Sequence, residues 1–136
     1  MIAVDSSALV AIAFDEPERA SFRRIIETAT KACVSPVSVV EAKMVVHSRR
    51  GERAVILLEG LLKLPMFEIV SPDLADIDAA YGAFITFGKG SGHRAGLNFG
   101  DVFSYALAKV RDLPLLYKGD DFTHTDIRSA VPRAVQ

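Results

Sequence analysis

Only one cysteine, Cys33, occurs in the 136-residue chain. No internal disulfide can therefore brace it, a reducing compartment suits it, and the thiol reads as a small buried side chain. Charge of one sign is also missing. Sixteen Lys and Arg stand against seventeen Asp and Glu, for a net charge of −1, so any polyanion must be met locally and not through a general field. No apolar run approaches the roughly 20 residues that span a bilayer, and residues 1–20 carry Asp5, Asp15 and Glu16 without a basic lead-in. Both features speak against a signal peptide or a membrane partner and predict a soluble, cytoplasmic protein. Repeats, linkers and low-complexity segments are lacking too. With 50% of the residues apolar, the chain can bury one good core, and residues 1–136 read as a single domain.

What the chain does have is a set of apolar, β-type runs that end on carboxylates. Residues 2–4 form a short strand by composition, with Asp5 directly after it, and residues 113–117 form another ahead of Asp120 and Asp121. Ser6 or Ser7 can cap a first helix, and Pro17 opens a second, with Phe22, Ile25 and Ile26 on its apolar face. Residues 31–35 read as a strand. Ser35, Pro36 and Ser38 announce a helix that ends near Gly51 and carries Glu41 in its first turns. A helix over 52–64 stops at Pro65, a third strand covers 67–70, and a helix covers 73–87. Five glycines in 88–100 mark a loop. Asp101 then begins a helix to Val110, residues 122–128 form a short one, and 131–135 form an edge strand, the one place that tolerates Pro132. Alternating strands and helices predict an α/β fold with a mostly parallel sheet flanked by helices. In such sheets ligands bind at the carboxyl ends of the strands.

Each acid alone has an ordinary explanation. Asp5 suits a helix N-cap, Glu41 an exposed helical position, Asp101 a helix N-terminus, and Asp120 and Asp121 a turn. Together they come from separate elements whose ends a parallel sheet brings to one edge. Carboxylates gathered there raise one another's pKa and destabilise the fold unless a cation neutralises them. Oxygen donors without a histidine or cysteine cluster favour Mg²⁺ or Mn²⁺ over zinc. The matching chemistry is phosphodiester hydrolysis, with phosphoryl polarisation and water activation by the ion.

Asp5-Ser-Ser-Ala-Leu behind the first strand, Val-Val-Glu41-Ala, the glycine-rich run from Gly88 to Asp101, and Pro114-Leu-Leu-Tyr-Lys-Gly-Asp-Asp-Phe122 occur in a telling order and spacing. Over essentially the whole chain this arrangement resembles the PIN-domain ribonuclease toxins of the VapC family. The resemblance implies a PIN-like three-layer domain with a mostly parallel five-stranded sheet of order 3-2-1-4-5. It also implies an endoribonuclease dependent on Mg²⁺ (Mn²⁺ as the alternative) that inhibits translation and growth. Such a protein is the toxin half of a type II toxin–antitoxin pair, held by a VapB-like antitoxin. Carried over position by position, it implies Asp5, Glu41 and Asp101 as catalytic, metal-binding acids, Asp5 and Asp101 being the main ligands. Asp120 is the expected fourth acid, with Asp121 expected chiefly as the cap of the helix after it and as a further metal candidate. Ser6 matches a small hydroxyl that hydrogen-bonds a metal-binding carboxylate.

Lys89, His93 and Arg94, in the loop before Asp101, are the candidates for RNA phosphates, in contacts blind to sequence. Lys43, Arg49, Arg50 and Arg53 form a second basic group that extends such a groove or simply solvates a helix. On the helix over 52–64 the apolar residues cover about half the circumference, wider than the roughly 100° that one core contact needs. The surplus suits a homodimer interface or an antitoxin helix laid in a groove. Two other readings use the same residues: a DNA nuclease or phosphohydrolase outside a toxin system, and a non-catalytic RNA- or protein-binding domain. A phosphatase with an aspartyl nucleophile needs a second acid two positions after Asp5, where Ser7 stands.

Overall fold

The computed structural model describes residues 1–132. Its centre is β1 (Ile2–Val4), three residues with every side chain buried. β2 (Ala32–Val34) and β4 (Leu115–Leu116) flank it, and β3 (Phe67–Ile69) lies beyond β2, giving an all-parallel sheet of order β3-β2-β1-β4. Side chains alternate across the sheet, as the strand period requires. Ile2, Val4, Ala32, Val34 and Leu116 point into one core; Ala3, Cys33 and Leu115 point into the other. The lone cysteine is thus a core side chain.

Helices α1 (Ser6–Ala13), α2 (Arg19–Thr28), α3 (Pro36–Arg50) and α4 (Glu52–Leu62) close the first core, and α5 (Leu74–Phe87) and α6 (Phe99–Arg111) close the second. Each helix near the sheet's carboxyl edge starts where a polar side chain satisfies a free backbone N–H. Asp5 caps α1 through Ser7 N at 3.0 Å, and Ser35 caps α3 through Val37 N at 3.2 Å with Pro36 as first residue. Asn98 and Asp101 cap α6 reciprocally. The chain therefore turns from strand to helix within one residue after β1 and β2, which places the first helical turns beside the strand ends.

Two expectations need correction. The helix over 122–128 shortens to a 3-10 turn, Asp121–His124, because Thr125 bonds back to Phe122 O through both N and Oγ, and Asp126 is drawn to α6 by Tyr105 Oη (2.7 Å) and Lys109 Nζ (2.6 Å). Among the described residues the sheet has four strands, and a single parallel bridge between Leu115 and Ser129 occupies the place after β4 where a fifth was expected. It forms before the expected 131–135, of which residues 133–135 lie outside the described part. A smaller shift concerns α6, which starts at Phe99 because Asn98, and not Asp101, is the N-cap.

α5 and α6 are the most extensively packed helix pair, with Ala80 and Ala83 of α5 buried against Val102, Ala106 and Leu107. They are also pinned by charge. Arg111 reaches Asp76 with both terminal nitrogens, at 2.6 and 3.0 Å, and Asp76, 2% exposed, simultaneously caps α5 through Asp73 N. The guanidinium holds the Asp76 carboxyl below its usual range. Stability from this pair is present above the unfolded carboxyl value and is lost as pH falls through the lowered native one. Arg111→Ala strands a buried carboxylate and should cost about 3 kcal/mol, seen as a lower midpoint in urea at pH 7. The gap to the parent should narrow on acidification; an unchanged midpoint at pH 7 would refute the assignment.

Candidate active site

Asp5 sits where β1 becomes α1 and is 2% exposed. Both of its oxygens are held. Oδ2 accepts from Ser7 N at 3.0 Å and from Ser7 Oγ at 2.7 Å, while Oδ1 accepts from Ser104 Oγ of α6 at 2.5 Å. Ser7 Oγ in turn accepts from Lys118 N at 3.0 Å, tying the carboxylate to the chain beyond β4. Ser104 Oγ lies 3.0 Å from Ser38 Oγ of α3. Sequence reading singled out Ser6 and missed Ser7 and Ser104 as site residues. Ser7 carried a usable signal in its Asx-type spacing two positions after Asp5, whereas Ser104 is 99 residues away in sequence and only the fold reveals it.

Glu41, on the first turns of α3, accepts a hydrogen bond from Ser6 Oγ. Its carboxylate lies against the first turn of α6 at Gly100. A Cβ on Gly100 would stand 2.7 Å from Glu41 Cδ, closer than side chains pack, so the carboxylate takes this position only because residue 100 has no side chain.

Asp101, 7% exposed, uses Oδ2 to accept from Asn98 N at 3.0 Å. Burial pushes its carboxyl up to about 7, and the nearby charges of Asp5, Asp121 and Glu41 push in the same direction, against the lowering effect of the Asn98 amide. Asp120 is not among these larger influences on Asp101. It stands as N-cap of the 3-10 turn with no side-chain cap bond, so the capping role expected of Asp121 falls to the position of Asp120 and is not exercised by its carboxylate. Both side chains are exposed.

Among the described residues, none of Asp5, Glu41, Asp101, Asp120 and Asp121 has a Lys or Arg at ion-pair distance, whereas Glu68, Asp76 and Asp126 do. Lys118, which follows β4, turns its Nζ to Glu16 and Glu18 instead, at 3.1 Å each. As the side chains stand, no three described acids already enclose one ion position; the buried carboxylates are each turned toward hydroxyl or backbone donors. The donor set itself, carboxylate oxygens with no countercharge and no imidazole or thiolate, fits a hard divalent cation.

The loop before α6 is more ordered than its glycine content suggests. Lys89 N donates to Leu97 O and Leu97 N to Phe87 O, both at 2.8 Å, and Gly90 and Gly92 make the turn at φ of 92° and 88°. His93 packs edge-on against Phe87 at 5.0 Å and accepts from Ala95 N at Nδ1, while Lys89 and Arg94 are exposed. In the second basic group, Lys43 pairs with Glu59, and Arg49 and Arg50 stack over Phe14 at 5.4 and 5.0 Å.

Asp101 makes the metal-free protein sensitive to pH. Its raised native pKa means that the folded state holds a proton that the unfolded state has lost, so its contribution is complete below about 3.8 and disappears as pH rises through about 7. At about 1.4 kcal/mol per unit the swing is at most on the order of 4 kcal/mol. Asp101→Asn, which cannot ionise, should gain on the parent between pH 5 and 7.5 in EDTA, and parallel stability profiles for the two proteins would contradict the shift.

Residues 2–128 match the PIN domain family. Ribonuclease VapC30 of Mycobacterium tuberculosis is 44% identical over 124 residues, covering 91% of this chain and 94% of that protein. Among solved structures, VapC20 of Mycobacterium tuberculosis, described as a sarcin-ricin loop cleaving toxin, superposes with a TM-score of 0.79 at 15% identity, over 97% of this chain and 100% of that one. A toxin–antitoxin complex from Klebsiella pneumoniae superposes at 0.68 with 14% identity, over 96% of this chain and 98% of that one. The two structures, at such low identity, speak for the fold; the family match and the 44% relative carry the assignment, and the chain belongs to the PIN-domain family, among the VapC ribonucleases.

Proposed function

We propose that the protein is an endoribonuclease dependent on Mg²⁺ or Mn²⁺ and the toxin of a type II toxin–antitoxin pair, acting on RNA in the cytoplasm. The observation that carries this reading is the group of carboxylates at the carboxyl end of β1, where Asp101 is driven up to about 7 by burial and by Asp5, Asp121 and Glu41 with no cation to offset them. A bound divalent ion supplies phosphoryl polarisation and water activation. Asp5 and Asp101 are its main holders. Ser7 and Ser104 keep Asp5 from rotating, and Ser6 orients Glu41, which would hold a second ion or a water. Asp121 is the better fourth acid, because its charge is among the larger ones that bear on Asp101. Lys89 and Arg94, exposed on the loop that leads into α6, are placed to meet RNA phosphates. His93 is better read as part of that loop's packing.

Two apolar surfaces suit the two protein partners. A groove of Ile12, Ala13, Leu57, Leu61 and Leu64, rimmed by Arg19 and Arg23, accepts an amphipathic helix of a VapB-like antitoxin with acids at its edges. It accounts for the broad apolar side of α4, where Leu57 is 74% exposed. The α5–α6 face, with Ile77, Tyr81, Phe84 and Phe99 exposed around a cavity of about 450 Å³, suits a second copy of the chain.

Purified protein should cut a mixed RNA pool with Mg²⁺ or Mn²⁺ and not in EDTA, and Asp5→Asn and Asp101→Asn should each abolish cutting while melting as folded proteins. Undiminished cleavage by either variant would remove the metal-site reading. Asp121→Asn should cost more activity than Asp120→Asn; the reverse order would restore Asp120 as the fourth acid. Gly100→Ala displaces the Glu41 carboxylate and should slow turnover on the order of 100-fold, and parental turnover in that variant would show that this placement of the carboxylate is not needed.

A further inference from the structure

Ser38 and Ser104 are 1% and 0% exposed, and both lie inside helices. A serine in that position ordinarily turns its hydroxyl back to a carbonyl of the preceding turn. These two point across the molecule instead. Ser104 Oγ donates to Asp5 Oδ1 at 2.5 Å, a charge-assisted bond that commits its only proton. The 3.0 Å contact between the two hydroxyls then has one possible polarity, with Ser38 donating and Ser104 accepting. A directed chain results, from α3 through α6 to the end of β1.

Its place in the sequence gives the chain its meaning. Ser38 stands three positions before Glu41 on α3, and Ser104 three positions after Asp101 on α6, so each hydroxyl lies about one helical turn from an acid on the same helix. The chain of hydroxyls thus ties together the three elements that bear Asp5, Glu41 and Asp101. Those acids repel one another, and two of the elements belong to opposite layers of the sheet.

We propose that Ser104, supported by Ser38, is a positioning residue for divalent-cation binding: the pair of buried hydroxyls fixes the rotation of the Asp5 carboxylate and holds α3 and α6 at the spacing the ion requires. The proposal rests on the metal-site reading above and deepens it. Donors around metal-binding carboxylates typically change affinity by about 10–100-fold when removed, and Ser104 donates directly whereas Ser38 acts through it.

Binding of Mn²⁺ alone, followed by the loss of the free-ion electron paramagnetic resonance signal, tests this apart from catalysis. The parent should bind and Asp5→Asn should not. Ser104→Ala should bind about 10–100-fold more weakly, Ser38→Ala should fall between, and the double variant should be no worse than Ser104→Ala because the bonds act in series. Ser104→Cys, similar in size but a poor donor, should behave like Ser104→Ala, which separates the hydrogen bond from packing. In cleavage assays the loss at saturating RNA should appear in kcat with KM for RNA unchanged. Parental Mn²⁺ affinity in Ser104→Ala or in Ser104→Cys overturns the positioning role while leaving the metal site intact. A parent that binds no Mn²⁺ overturns the metal site and the positioning role with it.

Discussion

Like charges gathered at one point repel, and the carboxyl end of β1 is built around that repulsion. β1 is central, with hydrogen-bonded neighbours on both edges, so Asp5 has no sideways relief. Glu41 and Asp101 arrive on helices that start within reach of it. The protein does not answer with lysine or arginine. It uses serine hydroxyls and helix-terminal amides, which aim carboxylates without neutralising them, and leaves the charge itself uncompensated. A cationic side chain in the same place would neutralise the carboxylates and occupy the site.

Stability is accordingly found elsewhere. Two apolar cores, one on each side of a sheet with very short strands, carry most of the burial. Strands of two or three residues have little ladder of their own, and the helices that sandwich them supply the area. Polar ties such as Asp76 with Arg111 and Asp126 with Tyr105 and Lys109 sit on the α5–α6 side, where they fix α6, the helix that presents both Asp101 and Ser104 to Asp5.

Much of this was legible in the residues. β1 and β2 announced themselves as short apolar runs, and Ser35-Pro36 and Gly51 bracketed α3 closely, because caps and breakers act locally. Asp5 stood out because it follows such a run, and Glu41 and Asp101 because they fall in the first turns of helices. Less legible was whatever depended on a distant partner. Thr125 and Asp126 end the last turn early by bonding to Phe122 and to α6, which no local pattern reveals. The sequence favoured Asp120 as the fourth acid and Asp121 as a cap, whereas it is the charge of Asp121 that ranks among the larger influences on Asp101. Ser38 and Ser104 sit in helical stretches that read as core, and their hydroxyls acquire a purpose only when two layers meet.

Gly100 has one more consequence. Its missing side chain is the space that Glu41 occupies, so the two positions are not free to vary independently. While Glu41 is present, any larger residue at 100 obliges its carboxylate to shift; once Glu41 has been exchanged for a small residue, the glycine is no longer demanded on this ground. The two positions are therefore expected to change together, with glycine kept at 100 wherever the carboxylate of residue 41 keeps this placement.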